Sequence, residues 1–309
     1  MSIKRFLVMG ISAAALVGCG NAQDSETAAS EEAILASETS APAANEASEP
    51  MIGAATLADA IAGTWRDEAR SARDAFRNPQ ETLEFFQVDP SGTVVEIWPG
   101  GGWYTDIIAP WMAGNGGTYI AAHFPDGGAS EFRQRSRDGY IERYSDTQLY
   151  GEIVMSGFDG TSGALAEAGS VDTILSFRNV HNWMSGEFAE KAFADFYAAL
   201  RPGGMLGVVE HRLPSTREQD PMGRSGYVQE SYVIDLAAEA GFELVERSEI
   251  NANPADTADH PFGVWTLPPV RRSAGRGEEP AADFDREAYD AIGESDRMTL
   301  LFRKPTDAE

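Results

Sequence analysis

Three consecutive glycines separate a strand-like stretch from a helix-like one. Val94-Val95-Glu96-Ile97-Trp98 is apolar apart from Glu96 and rich in β-branched residues, Gly100-Gly101-Gly102 follows Pro99, and residues 104–112 carry a helical apolar pattern. Backbone without Cβ lets a ligand approach closely, and a helix beginning just after it offers free N–H groups and the positive end of its dipole. The same residues could make a tight turn and nothing more. A second group, Arg178-Asn179-Val180-His181-Asn182-Trp183, directly follows the apolar stretch Val171–Phe177. There Asn179 could orient a substrate and His181 could take a proton. These side chains could equally close the loop through hydrogen bonds. Glu210-His211 ends a further apolar stretch, and adjacent strand residues point to opposite faces, so the two are not expected to pair with each other. Gly157-Phe158-Asp159 places one more carboxylate after a short strand, as a ligand acceptor or as a solvated turn acid.

These groups need a sheet to bring them to one edge. Strand patterns fall at residues 93–98, 118–122, 152–155, 171–177, 205–210, 242–250 and 298–302, with helix patterns at 56–76, 82–88, 104–112, 185–200 and 228–240. The alternation predicts an α/β fold, a Rossmann-like seven-stranded, mostly parallel sheet with helices on both faces. Residues 201–204, Arg-Pro-Gly-Gly, are expected to stop a helix before the fifth strand. Two stretches, 123–150 and 251–296, read as long irregular insertions able to form a lid or binding surface. In open parallel sheets ligands bind at the C-terminal ends of the strands, where residues 178–183 and 210–211 fall.

In this order the segments resemble the class I S-adenosylmethionine-dependent methyltransferase family, over roughly residues 80–303. Glu96, Gly100 and Gly102 match that family's first motif, with Gly101 between them. Asp172–Phe177 with Arg178, Asn179 and His181 is similar to its fourth strand and following loop. Leu200-Arg201-Pro202-Gly203-Gly204 and Ala240-Gly241-Phe242 are similar to the entries to its fifth and sixth strands. More narrowly, residues 96–105 resemble a bacterial group of methyltransferases, often secreted. The resemblance implies S-adenosylmethionine as cofactor, a small-molecule methyl acceptor, and cofactor contacts at Glu96, Gly100, Gly101, Gly102, Phe158, Asp159 and Arg178. His181 and Asn179, read above as base and positioning group, are then the candidate catalytic pair. Two positions depart from the pattern. Trp98 stands where the family has its first glycine. His123 stands where the family has a carboxylate for the ribose hydroxyls, with Asp126 close enough to substitute. A neutral imidazole accepts one hydrogen bond there, and protonation below about pH 6.5 would remove it. The alternative reading is a non-catalytic cell-envelope binding protein on the same fold.

Composition limits the rest. Of 309 residues, 24 are Lys or Arg and 49 are Asp or Glu, for a net charge of −25. That charge repels phosphate backbones and disfavours nucleic acid as a partner. His123, His181, His211 and His260 are scattered without metal-ligand spacing, and no metal is expected. Tyr227, Tyr232, His260, Phe262 and Trp265 could line a pocket or simply belong to the core. At the N-terminus, Lys4 and Arg5 precede a short apolar run, and Leu16-Val17-Gly18-Cys19 resembles the bacterial lipobox. Residues 1–18 therefore read as a lipoprotein signal peptide, and Cys19, the sole cysteine, as its lipidation site. Residues 19–55, acidic and without aromatics, read as a disordered tether, and 56–309 as the folded domain. The expected location is the periplasmic side of a bacterial envelope, by default the outer membrane, reached through the lipid anchor. Losing Lys4 and Arg5 makes the mature chain more acidic still, so that attachment would be lipidic and not electrostatic.

Overall fold

The computed structural model describes residues 53–128 and 130–306. The residues read as a signal peptide, Cys19 and nearly all of the expected tether lie outside the described residues. No helix among the described residues is long and apolar enough to cross a membrane.

The first described residues are already docked. Gly53 N–H donates to the Gln148 carbonyl and Ala54 N–H to that of Pro110, and Ala54 is buried. The folded domain thus begins before residue 56. The expected helix over 56–76 is three short ones, α1 (Leu57–Ile61), α2 (Glu68–Ser71) and α3 (Asp74–Arg77). The first break falls at Gly63, which lies so close under Trp65 that a Cβ there would come within 2.2 Å of the ring. Trp65 in turn donates its indole N–H to the Asp106 carbonyl at 2.8 Å. Tertiary packing of one tryptophan overrides the helical pattern.

From α4 (Pro79–Phe85) onward the chain alternates as expected: β1 (Thr93–Ile97), α5 (Thr105–Asn115), β2 (Thr118–His123), α6 (Glu131–Arg143), α7 (Thr147–Tyr150), β3 (Val154–Gly157) and β4 (Val171–Phe177). Then come α8 (Val180–Ser185), α9 (Ala189–Ala199), β5 (Leu200–Leu213), the two-residue β6 (Val228–Gln229), α10 (Glu230–Glu239), β7 (Glu243–Ser248), α11 (Arg286–Ile292) and β8 (Arg297–Arg303). The stretch 123–150 is largely helical, capped at α6 by Ser130, whose Oγ accepts from Arg133 N–H. The helix is so polar that only Tyr140 is buried, which leaves no apolar stripe to read. The Arg-Pro-Gly-Gly segment does not delay the fifth strand; β5 starts at Leu200 and runs through it.

The strand order is β3-β2-β1-β4-β5-β8-β7, with β6 beside β5. All pairs are parallel except those of β8, which runs antiparallel to β5 and β7. Side chains divide between two cores by alternation. Val95, Ile97, Ile174, Leu206 and Val208 pack with α8, α9 and α10 on one face. Val94, Leu175, Phe177, Val209 and Leu301 pack with α1, α4 and α5 on the other. Chain reversal in strand order between β1 and β4 opens a crevice at their C-terminal ends, and the glycine turn sits there.

Candidate functional site

A cavity of about 410 Å³ opens at this edge, within the usual range for small-molecule pockets. Its wall takes in Glu96, Gly100 and Gly101 from the first turn, Arg178, Asn179 and His181 from the loop after β4, and His211 from β5. Six residues singled out from the sequence, Glu96, Gly100, Gly101, Arg178, Asn179 and His181, therefore meet in one place. The other five, Gly102, His123, Asp126, Phe158 and Asp159, do not line it.

The glycines differ in role. Gly100 has φ +60° and open space where a Cβ would stand, so its backbone faces the cavity. Gly102 has φ +77°, and a Cβ there would lie 1.9 Å from Tyr144 Oη. Tyr144 donates that hydroxyl to the Gly102 carbonyl at 2.7 Å. Gly102 thus makes room for a tyrosine of the helical insertion, not for a ligand. Arg70 secures the same turn, donating to the Gly101 carbonyl at 2.6 Å and to Asp106 at 2.8 Å.

Glu96 is buried on the α5 side, accepting from Thr105 Oγ1 at 3.1 Å and from the Tyr119 hydroxyl. Burial, with a contribution from the Asp106 charge, pushes its carboxyl up to about 7.

The loop after β4 is held in the left-handed region at Arg178, φ +63°. Asn179 donates to the Ile97 carbonyl at 2.8 Å, tying this loop to the end of β1. His181 meets Glu210, its Nδ1 at 3.1 Å from Oε1. Glu210 is fully buried and also accepts from the backbone N–H of Val180 at 2.6 Å and of His211 at 2.8 Å. A carboxylate in this setting keeps the proton on His181 Nδ1 and leaves Nε2 as the acceptor. The alternation argument holds, since Glu210 pairs with His181 and not with its neighbour's ring. His211 instead meets Ser295 Oγ at 2.5 Å, and burial, reinforced by the His181 and Arg297 charges, pushes its imidazole well below the usual range.

The expectation of scattered histidines needs correction: His181, Glu210 and His211 place ligand atoms within 4.8 Å of one another. Both Glu210 oxygens are already occupied by N–H donors, and arginines surround the group. That donor set suits an acid–base pair better than a cation.

The remaining positions are committed elsewhere. His123 is buried and its Nδ1 already accepts the Phe124 N–H at 2.8 Å, so it has no free acceptor for a ribose. Burial, with the Arg137 charge, lowers it to about 4, so acidification to pH 6.5 leaves it neutral. Asp126 is exposed and accepts from Gln134 at 3.0 Å. Asp159 accepts from Thr161 and Ser162 of its own turn at 2.8 and 2.9 Å. The Phe158 carbonyl accepts the Trp98 indole N–H at 2.8 Å. Trp98, at φ +44°, inserts its ring among Phe124, Phe158, Phe188 and Trp183, with centroids 5.0, 6.0, 5.9 and 6.4 Å away. Of the five later pocket candidates, Tyr227, Tyr232, His260, Phe262 and Trp265, only Trp265 reaches the cavity.

Sequence reasoning missed Arg73, Arg77, Glu294 and Arg297, which complete the wall. Arg66, Arg70, Arg73 and Arg77 recur at four-, three- and four-residue steps, a helical spacing that marks one face. The apolar stripe beside them drew the reading instead.

No protein-family model matches the chain, and no curated protein matches it. Solved structures do. The [4+2]-cyclase SpnF is 15% identical, with 81% of this chain and 92% of that one covered and a TM-score of 0.50. A SAM-dependent methyltransferase from Aquifex aeolicus is 15% identical over 63% of this chain and 93% of its own, with a TM-score of 0.47. Human N-acetylserotonin methyltransferase in complex with SAM is 14% identical over 81% and 57%, with a TM-score of 0.47. The fold is a Rossmann-like, mostly parallel sheet with helices on both faces, as expected from the sequence, and SpnF shares it.

Proposed function

We propose that this protein is a methyltransferase that uses S-adenosylmethionine to methylate a small-molecule acceptor. The observation that carries the reading is the meeting in one cavity of the open glycine turn with His181, which Glu210 backs from behind. When bound, the cofactor supplies a methyl group on an activated sulfonium. The backbone of Gly100 and Gly101, with Glu96 beside them, would hold it. His181 Nε2 takes the proton of a protic acceptor, while Glu210 fixes the ring and steadies the imidazolium that results. Asn179, anchored to the Ile97 carbonyl, positions this loop against the turn.

A second reading, a non-catalytic binding protein on the same fold, is favoured by Trp98. Its indole packs beside Phe158, on the side where the resemblance implies the nucleoside, and the carboxylates there are engaged elsewhere. Calorimetric titration of the full chain with S-adenosylmethionine and S-adenosylhomocysteine separates the two. Weak binding is expected, tightened roughly tenfold in Trp98→Ala, where the indole no longer occupies the space beside Phe158. If neither nucleoside binds either protein, the binding-protein reading replaces the enzyme.

The proposal includes the address. Cys19 is lipidated after cleavage behind Gly18 and anchors the protein at the periplasmic side of a bacterial envelope; the support is Leu16-Val17-Gly18-Cys19 itself. Cys19→Ser should move the protein from the membrane to the soluble fraction, and retention in the membrane would refute the anchor.

A further inference from the structure

We propose that the cavity takes its ligand by an oxyanion, of phosphate or carboxylate type, held by Arg73, Arg77, Arg178 and Arg297. The arginine site itself does not require methyl transfer; only the assignment of the anion to the cofactor rests on the reading above.

The four guanidinium groups line the cavity together with Glu294, a buried carboxylate on which three of them converge. Glu294 accepts from Arg73 Nε at 2.5 Å, from Arg77 Nε at 3.3 Å and from Arg297 Nη2. Burial alone would raise its pKa, but Arg297, Arg77 and Arg73 outweigh that and hold it at about 2. One negative charge therefore serves four positive ones. Glu96 also reaches the wall, but its Oε2 is bound to Tyr119 and Thr105.

The hydrogen-bond inventory points the same way. Arg77 is 2% exposed, yet neither its Nη1 nor its Nη2 has a partner. Arg73 Nη2 and Arg297 Nε are likewise buried and unpartnered. Trp103 lies under Arg77, 4.6 Å from ring centroid to guanidinium carbon, and holds the fork in place. An arginine cluster that served stability alone would have its donors satisfied and its charges matched. Donors left open in a planar fork are the complement of a tetrahedral or planar oxyanion, which accepts several at once. Burial and the neighbouring Arg297 charge press Arg178 down to about 10, so an anion bound here would offset the repulsion among these groups.

Two sources supply this chemistry: an anionic substrate, or the carboxylate of S-adenosylmethionine. The test is calorimetry and thermal melting of the full chain with inorganic phosphate, with succinate and with S-adenosylmethionine, at fixed ionic strength. Phosphate or succinate should bind and raise the melting temperature. Arg178→Gln should weaken that binding roughly tenfold or more, the loss of a charge-assisted contact. Without ligand the variant should melt no lower than the wild type, because one repelling charge is gone. If the variant weakens S-adenosylmethionine in parallel and phosphate competes with it, the oxyanion is the cofactor's own; if S-adenosylmethionine is unaffected, it belongs to a separate substrate. The proposal is overturned if neither anion binds, or if Arg178→Gln lowers the ligand-free melting temperature and leaves anion affinity unchanged.

Discussion

Replacing Glu294 by Gln should destabilise the protein by about 3–5 kcal/mol, the cost of removing one partner from a buried ion cluster. For a domain of this size that corresponds to a fall in melting temperature on the order of 10 °C. The residue is 3% exposed and is the shared acceptor for Arg73, Arg77 and Arg297, so its loss leaves like charges facing one another. The pH dependence follows from its pKa. A carboxyl held at about 2 in the folded chain, against the ordinary 4.5, contributes its full stabilisation above pH 4.5 and loses it as pH falls toward 2. The gap between wild type and variant should therefore be constant above pH 4.5 and close below it. Millimolar phosphate should restore part of the lost stability. Thermal melts across pH check both points; a variant as stable as wild type at pH 7 would mean that the arginines are not held by this carboxylate.

Glu96→Gln should act in the opposite direction. The Glu96 carboxyl, raised to about 7 chiefly by burial, binds a proton in the folded chain that the unfolded chain has released above pH 4.5. Its contribution is therefore complete below pH 4.5 and disappears as pH rises through 7. The span amounts to about 3 kcal/mol, as an order of magnitude. A glutamine keeps an oxygen that can accept from Tyr119 and Thr105 and carries no charge to desolvate. The variant should match wild type near pH 4.5 and exceed it near pH 8. Urea denaturation at those two pH values measures the difference. Parallel curves with no pH-dependent gap would show that Glu96 is ionised in the folded protein throughout.

The backbone plan was legible because it depends on local pattern. Val94-Val95 and Ile174-Leu175 are apolar on both faces, and each face finds its own core. The glycine turn was legible as a turn, but the role of Gly102 was not. It depends on Tyr144, more than forty residues later at the end of a helix whose polar surface gives no periodic signal. The site divides in the same way. Arg178, Asn179 and His181 are contiguous and follow a recognisable strand. Glu294 and Arg297 come from the far end of a long irregular stretch, and Arg73 and Arg77 from a segment whose apolar pattern suggested an ordinary helix. Nor could spacing reveal that His181 meets Glu210, because that pairing is made by the parallel register of β4 and β5. His123 shows the converse: it ends β2 as expected, but the backbone N–H next to it claims its lone pair.

The contrast between a chain of charge −25 and a cavity walled by arginines bears on rates. An anion approaching from solvent meets a repulsive field before it reaches any arginine, and that field decays over a screening length of about 8–10 Å at physiological salt. Added salt should weaken the outer repulsion and speed entry, while also loosening the contacts within and speeding escape. Association and dissociation would then both accelerate with ionic strength, the reverse of an electrostatically steered enzyme, in which salt slows capture. With the anion site proposed above, slow entry at low salt would make occupancy follow sustained exposure to the ligand more than brief encounters.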